Sequence, residues 1–236
     1  VVKQNNDGIL YLFKKNKVSF FHGRGSFAQA VVGGGWEIAV KGAGADKGSE
    51  TLFAKQVIVA TGSSARALPG VPFDEQRILS NDGALRIGEV PKRLGLIGSG
   101  VIGLEMGSVW RRLGAEVTVL EALPTFLGAV DETVAKEAWK AFTKQGLKIE
   151  LGVKVGEIKT TKKGKETQVS VAWTDAKGQA QTLEVDRLIV SIGRVPNTAG
   201  LNAEAVGLQM DERGAIVVDA DCRTSLPGVW AVGDVV

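Results

Sequence analysis

The sequence contains very few of the residues that build metal centres and disulfide frameworks. Its 236 residues include one cysteine, Cys222, and one histidine, His22. A single cysteine excludes an intramolecular disulfide and is typical of a protein from a reducing cytoplasm. Because His22 has no acidic residue within three positions, we predict a surface or packing role for it. Because Cys222 has no partner, we predict a packing role for it. We therefore expect no metal site, and we predict a cytoplasmic location.

The sequence also lacks a strong excess of charge of one sign and any long apolar run. The formal net charge is +3, and no basic stripe is interleaved with aromatic residues. The densest basic cluster, 162–165, lies between two alternating segments and predicts a solvated hairpin turn. No apolar run approaches the ~20 residues that span a membrane, and the first residues show no signal-peptide pattern. We therefore expect no nucleic-acid partner and no membrane partner.

The most informative feature is a Gly-x-Gly-x-x-Gly motif formed by Gly98, Gly100 and Gly103. A short apolar run, 93–97, precedes it and predicts a buried parallel strand, and residues 104–113 predict a helix. The first glycine permits the tight turn, the second lets the backbone approach a pyrophosphate, and the third lets the helix pack closely on the strand. Free amides and the positive end of the helix dipole then face the phosphates. This order of strand, loop and helix predicts a dinucleotide site.

A carboxylate at the end of the next predicted strand narrows the choice of dinucleotide. That strand, 116–120, leads into Glu121, which follows Gly98 by 23 positions. A carboxylate there accepts hydrogen bonds from both ribose hydroxyls and repels a 2′-phosphate, whereas an NADP site favours arginine. The next three residues, 122–124, carry no cation. The motif therefore predicts NAD(H) rather than NADP(H).

Two segments of the chain share one layout, a three-stranded meander that leads into a buried strand ended by glycine. The composition is 44% hydrophobic and 23% charged, which is ordinary for a globular protein with one large or two small domains. The repeated layout predicts two related nucleotide-binding domains, one of them cut short at its start. The predicted strands are 27–32, 36–40, 51–53 and 56–60, with a loop at 42–48, in the first segment, and 155–160, 168–173, 182–185 and 187–192 in the second.

The remaining pattern predicts a helix at 131–145 and strands at 148–151, 214–218 and 229–232. We therefore expect an α/β fold. It contains a three-layer Rossmann-like nucleotide-binding domain, built from a parallel sheet and a three-stranded β-meander, and a partial second domain of the same type.

Four short motifs in this order resemble those of the two-dinucleotide-binding flavoprotein disulfide reductases. They are Ala-Thr-Gly-Ser at 60–63, the glycine motif with its distal glutamate, Ile-Gly-Arg-Val-Pro-Asn at 192–197 and Ala-Val-Gly-Asp at 231–234. Residues 12–18 and 100–118 are similar to the dihydrolipoamide dehydrogenase branch of that family. The resemblance covers essentially the whole chain.

The resemblance implies a role for each matching residue. Toward NAD, Glu105 would lie near the nicotinamide nucleotide, Glu121 would hold the adenosine ribose, and Val155 would line the adenine pocket. The remaining NAD-binding candidates are Gly98, Ser99, Gly100, Val101, Ile102 and Gly103 in the phosphate loop and first helix turn, with Gly193 and Arg194 at the domain junction.

Toward FAD, the resemblance implies a second set of residues. Gly25 would lie beside the adenine, and Asp234, after Gly233, would bind the ribityl or pyrophosphate end. Thr61, Gly62 and Ser63 would lie beside the flavin pyrophosphate and ribose. The implied domains are a partial FAD-binding domain at 1–87, an NAD-binding domain at 88–195, and a return to the FAD or central domain at 196–236.

Several parts of the family pattern are absent from the chain. The family's FAD Gly-x-Gly-x-x-Gly and its Cys-x-x-x-x-Cys pair do not occur in these residues. The resemblance implies that the catalytic His–Glu pair would lie in a C-terminal dimerisation domain beyond Val236. We therefore expect an incomplete FAD site, no catalytic residue and a fragment that is inactive alone. Because the missing βαβ unit normally fills the sheet, strands 56–60 and 229–232 are expected to have an open edge.

The resemblance implies that the parent enzyme is a homodimer that oxidises dihydrolipoyl groups. These groups would be carried by lipoyl domains of 2-oxoacid dehydrogenase or glycine cleavage systems. Electrons would pass through a disulfide and FAD to NAD⁺. Two alternatives stay open: another NADH-linked flavoprotein disulfide reductase, and an inactive NAD-binding module.

Overall fold

The structure is a computed structural model that describes residues 1–42, 48–163 and 166–236. The described residues form two compact units, a first unit of residues 1–63 with 196–236 and a second unit of residues 64–195. The elements in chain order are α1 (Val2–Lys15), β1 (Gly23–Ala30), β2 (Trp36–Gly42), β3 (Ser49–Ala54), β4 (Val57–Val59), β5 (Ser63–Ala65), β6 (Ile78–Leu79), α2 (Asn81–Ala84), β7 (Arg93–Ile97), α3 (Val101–Arg112), β8 (Glu116–Glu121), α4 (Glu132–Lys144), β9 (Lys148–Leu151), β10 (Lys154–Lys163), β11 (Glu166–Thr174), β12 (Ala180–Val185), β13 (Arg187–Val190), β14 (Arg194–Pro196), α5 (Ala203–Val206) and β15 (Val229–Ala231).

The first unit contains an antiparallel meander and a parallel strand pair. Strands β1, β2 and β3 are neighbours in that order, and β4 pairs with β15. Phe27 on β1 and Trp36 on β2 are buried, and their rings meet edge to face with centroids 5.4 Å apart. The Trp36 indole N–H donates to the Pro227 carbonyl at 3.0 Å, which ties the meander to the loop before β15.

One strand predicted in the first unit does not form. Within the predicted strand 214–218, Ile216 makes only an isolated bridge to Met210. The Asp211 carboxylate accepts hydrogen bonds from the amides of Arg213 and Ala215, each at 2.8 Å, and so closes a tight turn. This turn includes the first two residues of the predicted strand, and the rest of the segment forms no strand, so the prediction was wrong.

The second unit is built in three layers around a parallel sheet. The strand order is β6-β13-β7-β8-β9, and each neighbouring pair is parallel. The meander β10-β11-β12 covers one face, and α3 and α4 cover the other. The predicted α/β fold class is therefore confirmed.

Alternation along the central strands explains why both faces of this sheet are apolar. On β7, Leu94 and Leu96 pack on the helical side with Trp110, while Ile97 packs on the meander side with Val171. A strand buried on both faces reads as a continuous apolar run, which is what a parallel sheet requires.

The helices of the second unit start at recognisable caps. The Asp131 carboxylate accepts hydrogen bonds from the amides of Thr133 and Val134, so α4 begins where the sequence predicts. Helix α3 begins directly after the Gly100 cap, at Val101, and so starts three residues before the predicted start.

The predicted loop at 42–48 and the predicted turn at 162–165 lie partly outside the described residues.

Residues 64–87 belong to the second unit, whereas the sequence analysis places them with the first domain. The physical reason is strand pairing, since Ile78 and Leu79 of β6 pair with Leu188 and Ile189 of β13. The edge of the parallel sheet therefore comes from a segment that precedes the glycine motif in sequence.

Candidate functional site

The glycine motif forms a loop at the carboxyl end of β7, between β13 and β8. The Gly98 amide donates to the Leu120 carbonyl at 2.9 Å, and the Ser191 amide donates to the Ile97 carbonyl at 2.8 Å. From β7 the chain continues to β8 on one side, while β13 lies on the other side. A crevice at such a reversal of strand order is where open α/β sheets bind ligands.

The three glycines of the loop differ in what the protein itself requires of them. Gly98 has a φ of 101°, and a Cβ there would collide with the carbonyl oxygen of Ser191. A Cβ on Gly103 would collide with the carbonyl oxygen of Gly98. In contrast, a Cβ on Gly100 would meet no described atom within 4 Å, and its φ is −69°.

The folded chain therefore explains glycine at positions 98 and 103 but not at Gly100. A close approach by a ligand would explain it, because Gly100 caps α3 and the described chain leaves the position of its Cβ open. The loop thus fits a dinucleotide pyrophosphate. This open space is the structural feature that favours a bound nucleotide.

Glu121, at the end of β8, is hydrogen-bonded to the same loop. Its Oε2 accepts from the Ser99 amide at 2.7 Å and from the Ser99 hydroxyl at 2.9 Å. Its Oε1 accepts from the Leu123 amide at 2.8 Å. The carboxylate predicted to hold a ribose is thus already oriented, and the contribution of Ser99 to that orientation was missed from sequence.

The other NAD candidates lie on β10 and on α3. The Val153 amide donates to the Glu121 carbonyl at 3.0 Å, which places the half-buried Val155 two residues further along, on β10. On α3, Val101 and Glu105 are exposed and Ile102 is half-buried.

Gly193 and Arg194 follow β13 in the chain, and Arg194 is the first residue of β14. Gly193 has a φ of 121°, and its carbonyl accepts from the Arg66 amide at 3.0 Å. The Arg194 guanidinium donates to the Asn81 side-chain oxygen at 3.2 Å, which links it to α2.

In the first unit, the carboxyl ends of β4 and β15 bring the FAD candidates together. The Ser63 hydroxyl donates to the Asp234 carboxylate at 2.7 Å, and the Val232 amide donates to the Val59 carbonyl at 3.0 Å. Two predicted segments that are distant in sequence, 61–63 and 233–234, therefore meet at one end of a parallel strand pair.

Sequence reasoning missed the part that Asn197 plays at this end of the strand pair. Its side chain donates to the Thr61 carbonyl at 3.0 Å, and its own carbonyl accepts from the Thr61 hydroxyl at 2.8 Å. The Asn197 amide also donates to the Gly62 carbonyl at 2.9 Å. Gly25 lies on the exposed part of β1, in a different sheet.

His22 and Cys222 are the single histidine and the single cysteine of the sequence. His22 is exposed, and its ring stacks on that of Phe20 with centroids 6.2 Å apart. Cys222 is partly buried, and its amide donates to the Asp219 carbonyl at 3.0 Å.

Among the residues that the structure describes, no group of His, Cys, Asp or Glu is placed to hold a metal ion. In the same ranges, no helix has the length and apolarity needed to cross a membrane.

Comparison with known proteins identifies the family. The family model for pyridine nucleotide-disulphide oxidoreductases matches residues 1–236. The chain therefore belongs to the pyridine nucleotide-disulphide oxidoreductase family, and the predicted family is confirmed.

Among curated relatives, the chain is 58% identical over its whole length to a dihydrolipoyl dehydrogenase of Cupriavidus necator, of which it covers 47%. It is 46% identical, over 97% of its length, to dihydrolipoyl dehydrogenase 3 of Pseudomonas putida, of which it also covers 47%. The chain thus spans about half the length of the curated relatives that it matches.

Solved structures give the same fold. The HOCl-induced flavoprotein disulfide reductase RclA from Escherichia coli aligns with a TM-score of 0.77 at 28% identity, covering 99% of this chain and 51% of that one. LpdA from Mycobacterium tuberculosis aligns with a TM-score of 0.76 at 30% identity, covering 90% of this chain and 44% of that one.

Proposed function

We propose that this chain supplies the NAD(H)-binding platform and part of the FAD pocket of a dihydrolipoyl dehydrogenase. The observation that carries the NAD(H) part is the open space at Gly100 beside the oriented carboxylate of Glu121. The curated relatives at 58% and 46% identity support the choice of enzyme.

The residues of the second unit have distinct roles in this proposal. The amides that open α3 and the positive end of its dipole bind the pyrophosphate. Glu121 accepts a ribose hydroxyl and repels a 2′-phosphate, and Val155 lines the adenine end. Glu105, Gly193 and Arg194 lie toward the nicotinamide end.

In the first unit, Ser63 and Asp234 hold each other in place at the flavin end of the FAD pocket. Thr61, Gly62 and Gly233 line that end, and Gly25 lies toward the adenine. Bound flavin and nicotinamide supply the electron and hydride chemistry, while the protein supplies position and electrostatics.

The whole enzyme would oxidise dihydrolipoyl groups on carrier domains of 2-oxoacid dehydrogenase or glycine cleavage systems, and it would act as a homodimer. With a single cysteine, the chain has no redox disulfide of its own, so we expect it to form no NADH from dihydrolipoamide when purified alone.

We also propose a cytoplasmic location, because the chain has a single cysteine. The structural similarity to RclA keeps another flavoprotein disulfide reductase as the second candidate.

Replacing Gly100 with alanine tests the proposed site. The new methyl group occupies the space in which the pyrophosphate would lie, so NADH affinity should fall by about tenfold or more, the equivalent of ~1.4 kcal/mol. The free energy of unfolding should change by only about 1 kcal/mol, because alanine is a weaker helix cap than glycine. Calorimetric titration with NADH measures the first quantity and urea unfolding the second.

Gly88→Ala is the matched control for this substitution. Its Cβ would also meet no described atom within 4 Å, and Gly88 lies in the same unit but away from the glycine loop. We expect unchanged NADH affinity in this variant. Equal NADH affinity of the wild type and the Gly100→Ala variant would overturn the proposed site.

A further inference from the structure

Ser99, the residue between the first two glycines of the loop, directs two donors at one oxygen atom. Its amide and its hydroxyl both donate to Glu121 Oε2, at 2.7 Å and 2.9 Å. The residue is only 2% exposed, so its hydroxyl is shielded from bulk water. A buried hydroxyl that donates to a carboxylate forms a charge-assisted hydrogen bond, which is stronger than one between neutral groups.

The second oxygen of the Glu121 carboxylate is also held. Its Oε1 accepts from the Leu123 amide at 2.8 Å. An ionised carboxylate has about four acceptor sites, and three of them are therefore filled by the protein. Rotation of the side chain away from the loop would break all three hydrogen bonds, so the negative charge is fixed in position.

We infer that the Ser99 hydroxyl determines cofactor selectivity by holding the Glu121 carboxylate in place. Ser99 is a positioning residue, since it acts through Glu121. A carboxylate that cannot turn away repels a 2′-phosphate at full strength, whereas a loosened one can rotate and admit it. This inference rests on the proposed NAD(H) site, because it explains how that site would reject NADP(H).

This role differs measurably from a merely structural one. If Ser99 only supported the loop, its loss would weaken the binding of NADH and NADPH by the same factor. If it holds the charge of Glu121, its loss should weaken NADH, because the loosened carboxylate accepts less well from the ribose, and should tighten NADPH. The ratio of the two dissociation constants is therefore the informative quantity.

The experiment titrates the full chain with NADH and with NADPH by calorimetry at one fixed ionic strength. In Ser99→Ala, the ratio of the NADPH to the NADH dissociation constant should fall about tenfold, the size of one hydrogen bond to a charged group. Ser99→Gly should give the same fall. In a Glu121→Gln background, Ser99→Ala should change the ratio no further, because the charge that it positions is gone.

Ser108→Ala is the matched control, since the Ser108 hydroxyl donates only to the Glu105 carbonyl within α3 among the described contacts, at 3.0 Å. It should keep the wild-type ratio. If both Ser99 variants keep the wild-type ratio of the NADPH to the NADH dissociation constant, the inference is overturned. A loss of folding in both variants would show a structural role for Ser99 and would also overturn it. A wild-type chain that binds neither nucleotide overturns the proposed NAD(H) site instead, so the two failures are distinguishable.

Discussion

Gly98 is constrained in two ways at the start of the nucleotide loop. Its φ of 101° lies where L-residues with a side chain are strained, and a Cβ would also collide with the Ser191 carbonyl. The sequence motif alone could predict that glycines occur here. It could not show that the fold requires glycine at Gly98 but not at Gly100, because that distinction depends on Ser191, 93 positions away from Gly98 along the chain.

At this residue scale we predict that Gly98→Ala destabilises the protein by about 2–4 kcal/mol, the sum of backbone strain and a backbone collision. The measurement is urea unfolding followed by circular dichroism. Gly114→Ala is the control, because Gly114 has a similar φ of 113° but no described atom within 4 Å of its Cβ. It should cost about 1–2 kcal/mol. Equal losses in the two variants would contradict the role of Ser191.

Asp186 joins the amino ends of two neighbouring strands, β7 and β13. It accepts hydrogen bonds from the Arg93 amide at 2.9 Å and from the Arg93 guanidinium at 2.8 Å. Burial by itself raises the pKa of the Asp186 carboxyl, but the hydrogen bonds from Arg93 outweigh this and hold the pKa below its ordinary value of 3.8. A lowered folded-state pKa means that the stabilisation is complete above the unfolded-state pKa and is lost as the pH falls through the folded-state value.

At this element scale we predict that Asp186→Asn lowers the free energy of unfolding by about 2 kcal/mol at neutral pH. The difference from the wild type should shrink as the pH falls below 3.8. Urea unfolding at several pH values measures both quantities. Glu157→Gln is the control: its exposed pair with Lys159 should contribute at most about 1 kcal/mol. A difference for Asp186→Asn that does not depend on pH would contradict this account.

Elements with local signals were predictable from sequence, and elements set by distant contacts were not. Helix α4 begins after Asp131, whose side chain caps it, and the sequence contains that signal. The predicted strand at 214–218 failed because the Asp211 side chain closes a turn, an interaction that alternation of apolar residues does not reveal. Likewise, β6 joins the second unit only through pairing with β13, more than a hundred residues later.

At the scale of the whole molecule, each unit has its own buried core. The first unit packs Phe27, Trp36 and Val229 together, and the second fills both faces of its parallel sheet. The repeated layout of meander and buried strand predicts two related domains, and the described residues form two compact units. The boundaries of those units depend on which strands pair, so sequence patterns could not fix them.

β4 and β15 pair with each other, and Ile58 in the middle of β4 is 67% exposed. The open edge predicted for these strands stays a prediction.

The central claim is that the second unit binds NAD(H) and rejects NADP(H) through Glu121. Parallel titration of the wild-type chain with NADH and NADPH, at one ionic strength, tests this claim most directly. We predict that NADH binds more tightly by about tenfold or more, because the oriented carboxylate accepts from the ribose and repels a 2′-phosphate. Equal affinities, or tighter binding of NADPH, would contradict it.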